Sequence, residues 1–340
     1  MPVAHAISRH SLLMLTSALP LLAACGALTQ SLAGAPTAPL AQPLATIPVG
    51  DGPTLLAMAP DGSRVYAASG SGLSVIATAT NTLVGSVRTG PQPTGLAVTP
   101  DGQRVFVTNL FATRLTVVDT AAMTALSPID LFVDRFVGGF GRIGIAPHGT
   151  TAYVCNADNL VLAIVDVTNP DPYSLMTDIR PYDIALSRDG RTAYVAGCYN
   201  FCTTGSVEVL DTVSRRITGT ITVGPRPYRI AVTADGRRAY TTNLGGPTVS
   251  VIDLGSQSVV ATVPVPLEPT GLAVSRDGSS VYVTSQTSGN VVAIDAATNS
   301  VRGSLHVGRM VREVVVTPDG RRVYVSTDRA VVVLDANALG

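Results

Sequence analysis

The sequence predicts an all-β fold, a seven-bladed β-propeller built from four-stranded antiparallel blades. One segment of the form "TPDGQRVFVTN" recurs seven times along the 340 residues. Its aspartate, replaced by histidine in the third copy, stands at positions 61, 101, 148, 189, 235, 277 and 319. The copies are about 42 residues apart, and each is rich in short β-type runs. Repeats of this length are typical of propellers, in which each repeat forms one blade.

The second copy shows the strands of one blade. Residues 94–99, "TGLAVT", form a short apolar run between turn residues, which is typical of a buried inner strand. The turn "PDGQ" follows, and its Gly102 tolerates a positive φ. Residues 104–109 and 114–120 supply the second and third strands, and a more variable fourth strand leads to the next copy.

Two side chains recur within the copies and predict structural roles. The second strand carries an aromatic residue, namely Tyr66, Phe106, Tyr153, Tyr194, Tyr240, Tyr282 and Tyr324. Seven equivalent rings indicate packing between neighbouring blades, with about 2 kcal/mol from the burial of each. The third strand ends in an aspartate, namely Asp119, Asp166, Asp211, Asp253, Asp295 and Asp335, with Ala77 in the first copy. A carboxylate at such a place accepts hydrogen bonds from turn amides.

The two ends of the repeat region predict how the ring closes. The chain ends at "AVVVLDANALG", which matches a third strand and lacks a fourth. Residues 44–50, "LATIPVG", precede the first copy and match the fourth strand at 219–224. We therefore expect the N-terminal strand to complete the last blade, which removes an exposed sheet edge.

The end of the second strand carries the motif of a known family. It reads "FVTN" at 106–109, "YVCN" at 153–156, "YTTN" at 240–243 and "YVTS" at 282–285. These repeats resemble the YVTN β-propeller repeat family over about residues 45–340, although no copy spells the motif literally. The resemblance implies an extracytoplasmic seven-bladed propeller. It implies no single activity, because the family has none.

The N-terminus predicts export. Residues 1–24 have one arginine, then an apolar run, then small residues, which is typical of a secretory signal peptide. The run is too short and too interrupted for a membrane span. Residues 22–25, "LAAC", resemble a bacterial lipobox, which implies cleavage before Cys25 and lipidation of its thiol. The alternative is an ordinary signal peptide in which Cys25 is incidental.

Three parts of the chain follow from this interpretation. Residues 1–24 are the signal peptide, residues 25–44 are a lipidated cysteine and flexible tether, and residues 45–340 are the propeller. We expect the protein in the cell envelope, contacting the membrane through the lipid anchor only. Where the cell has two membranes, we expect it at the outer-membrane or periplasmic side.

Export permits disulfides, and three cysteines remain after Cys25. Cys198 and Cys202 are four positions apart and are predicted to form a disulfide. The pair lacks the further ligands of a structural zinc site and is not a covalent haem motif. A disulfide between Cys155 and Cys198 is the competing interpretation.

The charge of the chain argues against nucleic acid as a partner. The sequence has 23 basic and 23 acidic residues, and all of the basic residues are arginine. Without the signal peptide, which contains Arg9, 22 basic residues face 23 acidic ones, so no basic footprint for DNA or RNA exists. We expect a monomer that binds a protein partner or a small polar ligand.

A candidate site follows from the topology of the blades. The second-to-third loops and the links between blades lie on one face and vary in length and chemistry, as binding loops do. The inner strands begin at this variable face, around the channel mouth. In blades 3, 4, 5 and 7 they begin with charged or phenolic residues, namely Arg142, Tyr182, Asp183, Tyr228, Arg229, Arg312 and Glu313. This concentration of charged and phenolic residues in four of the seven blades predicts a polar pocket. The alternative is a set of ion pairs, such as Asp183 with Arg229, that satisfy one another.

The cysteine loop of blade 4 lies on the same face. Tyr199 and Phe201 flank Cys198 and Cys202 there, and a stiffened loop would present both rings to a partner. The alternative is that the disulfide only stiffens the insertion.

Two function classes compete. The first is a membrane-tethered binding or scaffold propeller, and the second is a hydrolase at the central channel, similar to the seven-bladed lactonases. Of the two mature histidines, His148 lies in a turn on the uniform face and His306 in an outer strand, so neither is placed as a general base. Glu313 is the only glutamate near the mouth. We assign no catalytic residue, metal or cofactor, and binding is the preferred interpretation.

Overall fold

The computed structural model describes residues 42–70, 72–110, 112–131, 139–169, 172–199 and 202–340. The signal peptide, Cys25 and most of the tether lie outside these residues. Within them, the chain forms seven antiparallel sheets, which confirms the predicted seven-bladed propeller. No helix in the described ranges is long and apolar enough to cross a membrane.

The strands follow the repeats in order. Blades 1 to 3 contain β2 (Leu55–Met58), β3 (Arg64–Ser69), β4 (Gly72–Ala77), β5 (Thr82–Arg88), β6 (Pro93–Val98), β7 (Arg104–Asn109), β8 (Arg114–Asp119), β9 (Thr124–Ala125), β10 (Ile129–Asp130), β11 (Phe140–Ile145), β12 (Thr151–Asn156), β13 (Val161–Asp166) and β14 (Tyr173–Met176). Blades 4 and 5 contain β15 (Arg180–Leu186), β16 (Thr192–Cys198), β17 (Gly205–Asp211), β18 (Arg216–Val223), β19 (Pro227–Val232), β20 (Arg238–Asn243), β21 (Thr248–Asp253) and β22 (Ser258–Pro264). Blades 6 and 7 contain β23 (Pro269–Val274), β24 (Ser280–Ser285), β25 (Asn290–Asp295), β26 (Ser300–His306), β27 (Val314–Val316), β28 (Arg322–Ser326), β29 (Ala330–Asp335) and, from the N-terminus, β1 (Ala45–Pro48). A short 3₁₀ helix, Ala336–Leu339, ends the chain.

The fourth strand of blade 2 is divided in two. β9 and β10 both pair with β8, one at each end of it. Pro128 lies between them and has no N–H to donate to a ladder, which is a physical reason for the interruption.

The core of the propeller lies between blades. Among the described residues, the buried apolar side chains form seven clusters, and each cluster joins two neighbouring blades. Tyr240 of blade 5, for example, packs with Leu272 and Val283 of blade 6. All seven second-strand aromatic rings are buried. Their predicted role as packing between sheets is therefore confirmed.

The recurring aspartates stabilise turns, as predicted. Asp119 Oδ1 accepts hydrogen bonds from the amides of Ala121 and Ala122 at 2.9 and 2.7 Å. In the first-to-second turns the carboxylate accepts from the amide two residues later, at 3.0 Å for Asp101 and Gln103. His148 takes over this role in blade 3, where its Nδ1 lies 3.3 Å from the Thr150 amide.

The N-terminal strand closes the ring, which confirms the predicted closure. β1 pairs antiparallel with β29, and Ile47 lies opposite Val331. The Ile47 side chain is buried in the cluster between blades 7 and 1, which also contains Tyr324 and Leu56. Two polar contacts join the same blades: Arg322 Nη1 donates to the Thr78 carbonyl at 2.6 Å, and the Tyr324 hydroxyl donates to Asn81 at 2.6 Å.

The closure predicts a measurable loss of stability in one variant. Ile47→Ala removes a buried side chain and should lower the free energy of unfolding by about 3 kcal/mol. Thr46→Ala, next to it on the exposed face of the same strand, should change this value by less than about 0.5 kcal/mol. Urea denaturation of both variants checks the expectation. Equal stability of the two would mean that the first strand does not seal the ring.

Candidate functional site

A pocket opens at the channel mouth on the variable face. It has a volume of about 670 Å³ and is lined by residues from the starts of the inner strands, the blade links and the second-to-third loops. Five of the predicted residues line it directly, namely Arg142, Tyr182, Tyr228, Arg229 and Arg312. Asp183 and Glu313 are buried and line a second cavity of about 330 Å³ below it. The structure thus brings these seven predicted residues into one region.

Hydroxyl groups of the second strands position the neighbouring inner strands. Thr108 Oγ1 donates to the Gly141 carbonyl at 2.6 Å, across the boundary between blades 2 and 3. Thr284 Oγ1 donates to the Arg312 carbonyl at 3.0 Å, across the boundary between blades 6 and 7. These are the threonines of the "FVTN" and "YVTS" motifs. The motif therefore fixes the backbone from which Arg142 and Arg312 project.

The floor of the pocket is a charged layer. Glu313 binds the guanidinium group of Arg229 through two hydrogen bonds, one of them from Nε to Oε1 at 3.3 Å and the other from Nη2 to Oε2. Arg142 Nη1 lies 2.9 Å from the same Oε2. The Arg229 and Glu313 side chains are each 6% exposed, and Arg142 is 14% exposed. One carboxylate therefore holds two guanidinium groups in a nearly dry site, where electrostatic contacts are strong.

Asp183 does not form the ion pair with Arg229 that served as the predicted example. Asp183 Oδ2 instead accepts a hydrogen bond from the Ile230 amide at 3.0 Å. The Nε and Nη2 groups of Arg229 both donate to Glu313. Burial raises the pKa of Asp183 to about 7, against the opposing attraction of Arg142. Burial also raises the pKa of Glu313, and its contact with Arg142 opposes the rise.

The cavity below the charged layer has both apolar and charged residues in its walls. Its walls include Leu56, Leu96 and Val314. Arg142, Asp183, Arg229 and Glu313 line its upper part. The charged layer therefore lies between the pocket at the channel mouth and this second cavity.

Two tyrosines form part of the wall. The rings of Tyr182 and Tyr228 have centroids 6.5 Å apart and are tilted by 46°. The Arg229 guanidinium carbon lies 5.1 Å from the centroid of the Tyr228 ring, a cation–π distance. The buried arginine is thus packed between its carboxylate and an aromatic face.

The cysteine loop contacts this wall. Cys198 and Cys202 form a disulfide with their Cα atoms 5.0 Å apart. The Tyr182 hydroxyl lies 3.8 Å from the Cys198 sulfur and 3.7 Å from the Cys202 sulfur. Cys155 is a buried free thiol whose pKa is raised by burial, so the competing pairing with Cys198 is absent from the structure. Tyr199 is 62% exposed on this loop, and Phe201 lies outside the described residues.

Sequence reasoning missed the rim of the pocket. Asp51 and Gln92 from the blade links and Leu110, Ala157 and Gln286 from the second-to-third loops also line it. Gln92 has a φ of 51°, and Glu268 and Arg226 have similar values at the matching place in their links, each before a proline. The repeated x-Pro-[Thr/Tyr] pattern of these links was the available signal.

Three other titratable residues, His148, His306 and Glu208, lie elsewhere. His148 is in its turn, and the Nδ1 of His306 lies 3.0 Å from the Ser288 carbonyl oxygen. Glu208 accepts the Asp178 amide at 2.9 Å, and burial raises its pKa to about 7. None of the three lines the 670 Å³ pocket. In the described part of the chain, no group of three or more His, Cys, Asp or Glu residues is arranged to hold a metal ion.

Fold and site together define a β-propeller domain with a pocket at its channel mouth that arginines and tyrosines help to line. A family model described as YNCE-like beta-propeller matches residues 198–321, a little over a third of the chain. No curated protein matches the sequence. Membership of the YVTN repeat family stays a prediction.

Solved structures share the fold. Hydrazine synthase from Kuenenia stuttgartiensis has a TM-score of 0.76 at 22% identity, over 84% of this chain and 96% of that one. The Cps50 (Swd1) beta-propeller domain of Myceliophteria thermophila has a TM-score of 0.73 at 12% identity, over 86% of this chain and 99% of that one. At these identities the likeness concerns the fold alone.

The buried carboxyl of Asp183 predicts a pH effect on stability. Its pKa is about 7 in the folded chain against an ordinary value of 3.8, so the folded state binds this proton more tightly. The resulting stabilisation is full below about pH 4 and is lost as pH rises through about 7. Because Asp183→Asn cannot ionise, its stability relative to wild type should rise by up to about 1.4 kcal/mol per pH unit in that window.

Urea denaturation at several pH values measures this difference. Asp130→Asn is the control, because Asp130 is a surface residue paired with Arg114. Its stability relative to wild type should stay nearly constant over the same range. If the stability of Asp183→Asn relative to wild type does not change with pH, the pKa of this carboxyl is not raised by burial.

Proposed function

We propose that this chain is a binding module that holds a small polar ligand in the pocket on the variable face of its propeller. We further propose that it is an exported protein with YVTN-type repeats, tethered to a membrane in the cell envelope through lipid on Cys25. The single observation that supports the binding function is the pocket of about 670 Å³ with three arginines and two tyrosines in its wall. Pockets for small molecules have volumes of this order and a few convergent polar groups.

The asymmetry of the pocket supports ligand recognition over simple ring packing. Residues at the starts of inner strands in blades 1, 2 and 6 are small, such as Thr54, Thr94 and Thr270. Blades 3, 4, 5 and 7 contribute long cationic and aromatic side chains. A channel filled only for stability has no need to gather three arginines and two tyrosines at its mouth.

A lactonase-like hydrolase is the alternative, and the contacts of Glu313 weaken it. Both oxygens of this carboxylate already accept hydrogen bonds from guanidinium groups, so the carboxylate is engaged and not placed to take a proton from a substrate. Neither His148 nor His306 lines the pocket. These contacts favour binding over hydrolysis.

The pocket can be tested by filling it. Gly141 lines the pocket, and a Cβ added there would meet only the Cys155 carbonyl at 3.6 Å, an ordinary contact. Gly141→Phe should therefore fold and block the pocket. Gly246→Phe is the control, because Gly246 lies in the second-to-third loop of blade 5 on the same face and outside the pocket.

The purified protein is incubated with a small-molecule extract of its own cells, and bound molecules are measured by native mass spectrometry. We expect a one-to-one adduct with wild type and Gly246→Phe and none with Gly141→Phe. An adduct that survives in Gly141→Phe would contradict the proposal. Release of a hydrolysed product in place of the intact molecule would favour the lactonase-like alternative.

A protein partner is a second candidate, supported by the exposure of Tyr199 beside the disulfide. Tyr199→Ala should reduce the recovery of envelope proteins that copurify with the tagged chain, because exposed aromatic anchors dominate such contacts. Val213→Ala is the matched control, since Val213 is 78% exposed in a turn on the opposite face. Equal recovery with both variants would remove the loop from this role.

A further inference from the structure

We propose that the ligand of this pocket is a small aromatic anion, a flat ring that carries a carboxylate or a similar acidic group. This inference rests on the proposed function and adds the chemical class of the ligand. The acidic group would be received by Arg229 Nη1 and by Arg312. The ring would lie against Tyr182 and Tyr228.

The first support is a buried donor without a partner. Arg229 Nε and Nη2 are both occupied by Glu313. Arg229 Nη1 is buried and has no hydrogen-bond partner among the described residues, although the side chain is only 6% exposed and lines the pocket. A buried N–H without an acceptor is unfavourable. An anionic oxygen of a ligand would supply that acceptor once the side chains that cover Nη1 shift to admit it.

The second support is the balance of charge at the floor. Arg142 and Arg229 share the single carboxylate of Glu313, which leaves one positive charge uncompensated by direct contact. Asp183 is the other acidic group below the pocket, and it is engaged with the Ile230 amide. The salt bridges at the floor therefore join two guanidinium groups to one carboxylate, while Asp183 acts on Arg142 through space without a salt bridge.

The rim adds a further cation. Arg312 lines the pocket, and its side chain has no salt bridge within the described ranges. Asp51 is the one carboxylate at the rim, and its Oδ2 lies close to Gly70 in the loop of blade 1. Two separately placed guanidinium groups suit an acidic group, because charge-assisted hydrogen bonds to carboxylates are strong.

The third support is the aromatic wall. Tyr182 and Tyr228 stand together beside Arg229, and contacts with both cysteine sulfurs fix the Tyr182 hydroxyl. Aromatic rings pair favourably with other rings in tilted or offset arrangements. Thr94 and Gly141 leave space in the lining for a flat molecule.

A matched pair of fluorescent dyes tests the inference. The anionic probe is 1-anilinonaphthalene-8-sulfonate, and the neutral probe is N-phenyl-1-naphthylamine, which has the same rings without the acid. The chain has no tryptophan, so the dyes can be followed without that background. We expect the anionic probe to bind one-to-one and about tenfold more tightly than the neutral one.

Single substitutions show which side chains contribute to the affinity for each dye. Arg312→Gln should weaken the anionic probe about tenfold and leave the neutral probe unchanged. This arginine is partly exposed, so its replacement leaves the buried layer intact. Arg309→Gln is the control, because Arg309 is three residues away on the same link and does not line this pocket. Tyr228→Leu should weaken both probes.

The outcomes separate this inference from the proposed function. If both dyes bind equally and Gly141→Phe removes both, the pocket binds ligands but its preference for anions is refuted. Undiminished binding of the anionic dye to Arg312→Gln also overturns the inference. Failure of both dyes to bind counts against the pocket itself and therefore against both proposals.

Discussion

The structure depends on one constraint: each blade must bury both of its faces against neighbours, so the last blade must meet the first. The seven inter-blade clusters contain the recurring aromatic ring, and no blade has an apolar core of its own among them. An open row of blades would expose two such faces and a sheet edge to water. The β1 strand removes both problems, because Ile47 fills the cluster of blades 7 and 1 while its backbone pairs with β29.

Closure of the ring also creates the pocket. Seven inner strands converge on an axis, and their first residues must share limited space. Gly95 and Gly271 allow this in blades 2 and 6, since a Cβ at either would clash with the start of the next blade. The threonines of the second strands then bind those next blades at Gly141 and Arg312. The glycine of one blade therefore makes room for the start of the next blade, and that start carries the arginine that lines the pocket.

Much of the fold was predictable from the sequence because its features repeat from blade to blade. The strands, the turn aspartates, the aromatic packing and the position of the channel mouth all follow from periodic patterns that one copy explains for the others. The partners of individual side chains were not predictable. Asp183 and Glu313 have similar chemistry and equivalent places on their strands, yet Arg229 binds Glu313, a residue of blade 7. Contacts across the axis depend on the side-chain lengths of several blades at once, and no spacing along the chain encodes them.

The cysteine loop shows how a local feature gains meaning from its place in the ring. By sequence, Cys198 and Cys202 close a small loop beside aromatic residues on the face of the channel mouth, with no predicted contact to the channel residues. In the structure their sulfurs contact the hydroxyl of Tyr182, whose ring stands 6.5 Å from that of Tyr228. A covalent bond restricts the loop more tightly than packing alone, and that restriction reaches the pocket through one side chain. The disulfide thus connects the second-to-third loop of blade 4 to the residues that surround the buried guanidinium of Arg229. Tyr199, an exposed residue of this loop, is therefore linked to the pocket wall through the disulfide and Tyr182.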